Sequence, residues 1–161
     1  MGIALIKANK IFRECGSTDP LLIAENKDYV IVRKKMPYQL KGFTLKKFRI
    51  PVIYINSLYD ESEQEFTCLH EIGHIVCGHD DNAIFLMNNT TQVVSKYENE
   101  ADDFACALKL LSFDREEIER LSLEQISSLA GIDKMVLLNF FKRNRTNIRS
   151  LVNGGMYEQD N

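Results

Sequence analysis

The sequence predicts an α+β fold, on three observations. Apolar residues recur at helical spacing over positions 4–26, short β-branched and aromatic runs fill 29–55 between breaks at Pro37, Gly42 and Pro51, and from Ser62 onward helix-period stretches alternate with cap residues. Ala4 to Cys15 reads as a helix with Ala8, Ile11 and Phe12 on one stripe. Asp19-Pro20 opens a second helix through Asn26, because proline suits the first helical turn. Tyr29–Arg33, Gly42–Phe48 and Val52–Ile55 read as about three strands of a small antiparallel sheet.

Ser62 and Glu65 have the spacing of a capping box, so a helix is expected to begin there and to run to Cys77, with Gly78 as its left-handed stop. Asp80 to Ser95 is rich in Asn and Thr and reads as a loop with room for a short strand. A further helix is expected over Tyr97–Leu111. Three short ones follow at Arg115–Leu121, Leu123–Ala130 and Lys134–Arg143, with Ser122 and Asp133 as N-caps of the last two. Residues 1–152 are expected to form a single domain and 153–161 a flexible tail.

The totals narrow the function. A chain of 161 residues with 45% apolar content supports one ordinary core. Twenty basic against 23 acidic side chains give a net charge of -3, so no global positive field draws the protein to nucleic acid or anionic lipid. No signal peptide or membrane span is legible, and a cytoplasmic location is expected. Cys15, Cys68, Cys77 and Cys106 form no C-x-x-C pair and read as free thiols.

The chemistry concentrates in His70-Glu71-Ile72-Gly73-His74. Residues four apart on a helix lie one above the other, so His70 and His74 can offer two imidazoles to one Zn2+ ion. Glu71 flanks that point as a general base for a water acidified by the ion, and can return the proton to a leaving amine. A catalytic zinc needs a third protein ligand. The extended pattern H-E-x-x-H-x-x-G-x-x-H does not fit, since its glycine position holds Cys77 and its third-histidine position Asp80. A glutamate from a second helix fits better. Glu98 is the choice because Asp102, four residues on, can then accept the remaining N–H of His70, while Ala101 lets the helices approach. Glu100 is its rival, about 200° away around the helix, and only one of the two can face the ion. His79 is a candidate hydrogen-bond donor to the transition state, with Tyr97 and Tyr59 as further candidates. Manganese or iron would accept the same donors.

Through His70–His74, through Glu98-Asn99-Glu100-Ala101-Asp102-Asp103-Phe104-Ala105, and through Leu40-Lys41-Gly42-Phe43, the sequence resembles the ImmA/IrrE family of metallo-endopeptidases. The order of the lead-in, Asn56 after the third strand and Glu65-Phe66-Thr67 before the zinc helix are also similar. Leu110-Leu111 leads into Ser112-Phe113, where the family often continues Leu-Leu-Met-Pro. The resemblance implies a zincin-like fold and a regulator, carried by mobile elements such as phages or by bacterial hosts, that cleaves a helix-turn-helix repressor and so relieves repression.

Residues 122–145 are themselves spaced like a helix-turn-helix, and Lys142, Arg143, Arg145 and Arg149 follow or close it. Few side chains of its second helix suit base edges, so direct DNA binding is not expected and packing is the preferred reading. The alternatives to proteolysis are a zinc-fold regulator that binds a repressor without cutting it, and a DNA-binding protein. Backbone pairing of a substrate with a sheet edge near Val52–Ile55 is expected to align it.

Overall fold

The computed structural model describes residues 2–79 and 91–144. Helix α1 (Ile3–Cys15) buries Ala4, Leu5, Ala8 and Ile11 and stops at Gly16, whose φ of 65° is left-handed. Helix α2 (Pro20–Asn26) starts under Asp19, which accepts the Leu21 N–H at 2.8 Å. Strands β1 (Val30–Lys34), β2 (Gly42–Lys47) and β3 (Ile50–Asn56) follow. They precede helix α3 (Glu61–Cys77) and helix α4 (Thr91–Leu110). Helices α5 (Arg115–Arg120), α6 (Leu123–Ala130) and α7 (Lys134–Arg143) complete the described residues, which are α+β as expected.

The sheet corrects one expectation: it is mixed, not antiparallel. Its order is β1-β3-β2, with β1 parallel and β2 antiparallel to β3. The hairpin between β2 and β3 has a two-residue loop, Phe48 and Arg49, at φ of 51° and 67°. Both centres are left-handed, as a primed hairpin turn requires, yet neither residue is the usual Asn or Gly, so the sequence hides the turn. The loop after β1 carries the chain across β3, and β1 is left to pair in parallel on the other side. A second correction follows. Val52–Ile55 lies in the central strand with partners on both sides, so it is no edge, and the strand with an open edge beside the α3 helix is β2.

Asn56, fully buried at the end of β3, organises the crossover. Its carbonyl accepts the Met36 and Leu58 N–H groups at 3.2 and 3.1 Å, and its amide meets the Met36, Pro37 and Leu40 carbonyls at 3.1, 3.2 and 2.9 Å. One side chain thereby satisfies backbone groups that no strand reaches.

Helix α3 starts at Asp60, which accepts the Glu63 N–H at 2.9 Å, and not at the expected Ser62–Glu65 box. Those two side chains are used elsewhere. Ser62 donates to the Gly131 carbonyl at 3.3 Å, and Glu65 accepts from Lys109 at 3.1 Å. The stop at Gly78, with φ 78°, is as expected. Helix α4 begins six residues before the expected Tyr97, so 91–95 is helix and not loop; 80–90 and the tail from Asn153 lie outside the described residues. The β-branched Val93 and Val94 are weak helix formers, but Val94 packs at the edge of the cleft described below, and packing outweighs propensity. Ser122 and Asp133 cap α6 and α7 as expected.

The core joins α1, β3, α3 and α4, with Leu5, Ile53, Leu69, Ile72, Phe104 and Leu108 fully buried. Helices α3 and α4 cross closely because Gly73 has no side chain. A Cβ there would lie 3.1 Å from the Ala101 Cα, the Ala101 carbonyl and the Phe104 ring. All four cysteines are free, and burial pushes the Cys68 thiol up to about 12 and Cys77 to about 11, which keeps them protonated and unreactive. No described helix is long and apolar enough to cross a membrane.

Candidate metal centre

The close crossing of α3 and α4 brings together the residues that the sequence singled out. His70 and His74 stand one turn apart on α3, and Glu98 faces them from α4. Their ligand atoms all lie within 4.8 Å of one another and could hold a metal ion. The His70 and His74 Nε2 atoms are 3.0 Å apart. Glu98 Oε2 lies 3.2 Å from His70 Nε2, and Oε1 lies 3.4 Å from His74 Nε2. Both imidazoles are largely or wholly buried, while Glu98 is partly open to solvent.

Asp102, one turn beyond Glu98, meets His70 Nδ1 at 2.8 Å. Burial alone would lower the His70 pKa, but the hydrogen bonds to Asp102 and Glu98 override it and raise it to about 10. Burial likewise pushes Glu98 up, and its contacts with the two imidazoles more than reverse that, holding its carboxyl below the ordinary range.

Glu71 is buried, and the Thr44 hydroxyl donates to its Oε2 at 2.8 Å. No spacing rule connects residues 27 positions apart, and the sequence reading missed Thr44. In the sequence Thr44 reads only as part of the expected strand Gly42–Phe48, with nothing to link it to Glu71. Gly42 lets that strand approach: a Cβ there would meet Thr67 Cγ2 at 2.8 Å and the Tyr54 carbonyl at 2.9 Å.

His79 is buried behind His74 and does not border the cleft. Its Nδ1 lies 2.9 Å from His74 Nδ1, and its Nε2 lies 2.8 Å from Glu100 Oε2. Glu100, the rival of Glu98, therefore points to His79 and away from the His70–His74 pair. Burial lowers the His79 pKa despite that carboxylate. Tyr97 packs on His79 with ring centres 4.2 Å apart, and Tyr59 stacks on Tyr38 at 4.9 Å.

His70, Glu71, Glu98 and Asp102 border a cleft of about 1040 Å³, whose other walls are Gly42 and Phe43 of β2 and the turn between α6 and α7 at Gly131–Asp133. The helix-turn-helix-like segment thus forms one side of the cleft. Its Arg143 donates to Asp103 of α4 from Nε and Nη2, at 3.0 and 2.6 Å, and Asn144 adds a third contact to Asp103 at 3.0 Å.

An α+β domain with two histidines and a glutamate drawn from crossing helices, opening on a cleft beside a sheet edge, has the form of a metallopeptidase. The comparisons with known proteins agree. Residues 24–128 match the family described as Peptidase_M78, IrrE N-terminal-like domain, and the chain belongs to that family of metallopeptidases. It is also similar to "Uncharacterized immunity region protein 2" of Bacillus phage phi105, at 31% identity over 108 residues, which span 66% of this chain and 68% of that protein.

Proposed function

We propose that the chain is a zinc-dependent endopeptidase, with His70, His74 and Glu98 as ligands and Glu71 as general base, that cleaves a helix-turn-helix repressor and so relieves repression. The cluster of donor atoms from His70, His74 and Glu98 carries the reading. A tetrahedral zinc with bonds of ~2.0–2.1 Å sets its donors about 3.3 Å apart. The two Nε2 atoms are 3.0 Å apart, and the Glu98 oxygen nearest each lies 3.2 Å from His70 and 3.4 Å from His74, all around that value. Two imidazoles and one carboxylate at the edge of a cleft would hold a catalytic zinc, which takes three protein ligands, and not a closed structural one.

When bound, zinc supplies a Lewis acid that polarises a peptide carbonyl and acidifies water. The chain's own residues do the rest. Asp102 accepts the Nδ1–H of His70, which fixes the tautomer that turns the Nε2 lone pair toward the ion. Glu71, steadied by Thr44 and bordering the cleft, takes the water proton and delivers it to the leaving amine. The open edge of β2 at Gly42 and Phe43 aligns an extended substrate by backbone pairing. Peptide substrates N-methylated at alternate positions near the cut should then be cleaved more slowly, and equal rates would exclude the edge. A regulatory substrate is supported by the relative named for a phage immunity region. Residues 1–152 act as one peptidase domain in this reading.

The test is zinc content and cleavage in parallel, using a peptide library digested and read by mass spectrometry, and repressors of the helix-turn-helix class co-expressed with the chain. The wild type should carry about one zinc per chain, His70→Ala and Glu98→Gln should lose it, and Glu71→Gln should keep zinc but not cleave. A wild type without zinc affinity sinks the proposal. Relief of repression by Glu71→Gln would replace it with a regulator that binds without cutting.

A further inference from the structure

We infer that His79 and Glu100 are positioning residues that hold His74 toward the metal through a relay of two imidazoles ending in a carboxylate. The inference rests on the zinc reading above and extends it to residues outside the ligand set.

Hydrogen placement follows from geometry. If His74 uses Nε2 as a ligand, a neutral imidazole must carry its proton on Nδ1. Among the described residues that N–H faces His79 Nδ1 at 2.9 Å, which must then accept and hold no proton of its own. The His79 proton is therefore on Nε2, and there it donates to Glu100 Oε2 at 2.8 Å. Each nitrogen in the chain thus has a single consistent role. His70 reaches the same end directly, through Asp102, so the two ligands are oriented by carboxylates at one and two removes.

The fold builds His79 into this position. Gly78 turns the chain left-handed after α3, and the His79 N–H returns to the His74 carbonyl at 2.9 Å. Tyr97 closes on the ring from α4. The residue is 8% exposed, so its nitrogens have little recourse to solvent. Helix α4 supplies both glutamates, Glu98 to the ion and Glu100 to the relay, which accounts for a second glutamate two positions after the first.

The experiment measures zinc affinity by competition with a chromophoric chelator, on purified full-length chain, with the absorption spectrum of the cobalt-substituted protein as a second readout. Partners that orient metal-bound histidines are worth roughly 10–100-fold in affinity. His79→Phe, of similar bulk and unable to accept a proton, should lose affinity in that range and shift the cobalt bands, and Glu100→Gln should lose about 10-fold. His79→Gln, whose amide can accept from His74 and donate to Glu100, should recover most of the loss. The double variant His79→Phe/Glu100→Gln should bind as His79→Phe does, because the relay is already cut. Wild-type affinity in both single variants, or strictly additive losses in the double, would overturn the relay while leaving the zinc reading intact. A wild type that binds no zinc would overturn both. Should His79→Phe fail to fold, His79→Gln combined with Glu100→Gln decides the coupling.

Discussion

In the proposed mechanism, the contact between Thr44 and Glu71 would bear on the chemistry without involving a metal ligand. The hydroxyl bond, at 2.8 Å, fixes one carboxylate oxygen of a side chain that has little solvent to compete for it. Thr44→Val should leave zinc content unchanged and lower the turnover of a cleaved peptide by roughly 10-fold, since a general base contributes ~10²–10⁴-fold and would be loosened, not lost. Protonation of the proposed ligands makes a second prediction at this scale. In metal-free protein the His70 pKa is raised from 6.5 to about 10, so its stabilising contribution is complete below pH 6.5 and is lost as pH rises through about 10. Glu98 is lowered from 4.5, so its contribution is present above pH 4.5 and is lost on acidification. Between those limits the pair competes with the ion, because zinc requires neutral His70. Zinc binding at pH 7 should therefore release about one proton from His70, and the rise in melting temperature on adding zinc should be larger at pH 9 than at pH 6. Calorimetry in buffers of different ionisation enthalpy counts the proton.

Among the elements, the α3–α4 crossing sets the distance between the histidine pair and Glu98. Gly73→Ala gains up to about 1 kcal/mol in helix propensity but presses a methyl against the Ala101 backbone, an overpacking cost of about 1–3 kcal/mol. The net loss of stability should be small. Zinc affinity should fall much more, because the helices must spread to admit the methyl. Equal affinities in Gly73→Ala and wild type would show that the crossing does not set the site. In the sheet, Asn56→Ala strands buried backbone groups in the 36–40 crossover, each costing about 1–3 kcal/mol. Denaturant unfolding should show a loss of about 3 kcal/mol or more, with zinc unable to restore it.

For the whole molecule, the ion would tie α3 to α4 at the floor of the cleft. Ligand binding to the folded state alone adds about 4 kcal/mol at a thousandfold excess over Kd. For a chain of this size that corresponds to a drop of roughly 8–16 °C in melting temperature when a chelator removes the metal. A chelator-insensitive melting curve would show that the fold does not depend on the site. The α6–α7 pair is held to α4 by the Arg143–Asp103 ion pair and packs its turn against Ser62, so loss of Arg143 should loosen the cleft wall as well as that contact. Protease susceptibility of Arg143→Ala in the 122–144 region measures this.

Local chemistry was legible in the sequence. The helix starts at Asp19, Ser122 and Asp133, the stop at Gly78 and the pairing of His70 with His74 each depend on residues within about one turn of each other, where backbone geometry fixes the distances. The place of Glu98 and Asp102 beside the histidines followed from the same spacing rule applied to a second helix. Tertiary structure alone decided what depends on contacts between distant residues. It paired β1 in parallel with β3, put β2 at the edge, gave Asp60 the cap expected of Ser62, engaged Ser62 and Glu65 elsewhere, joined Thr44 to Glu71, and sent His79 and Glu100 behind His74. Strand pattern says which face is apolar but not which neighbour it meets, and a polar side chain's partner is chosen by the packing that brings the two elements together.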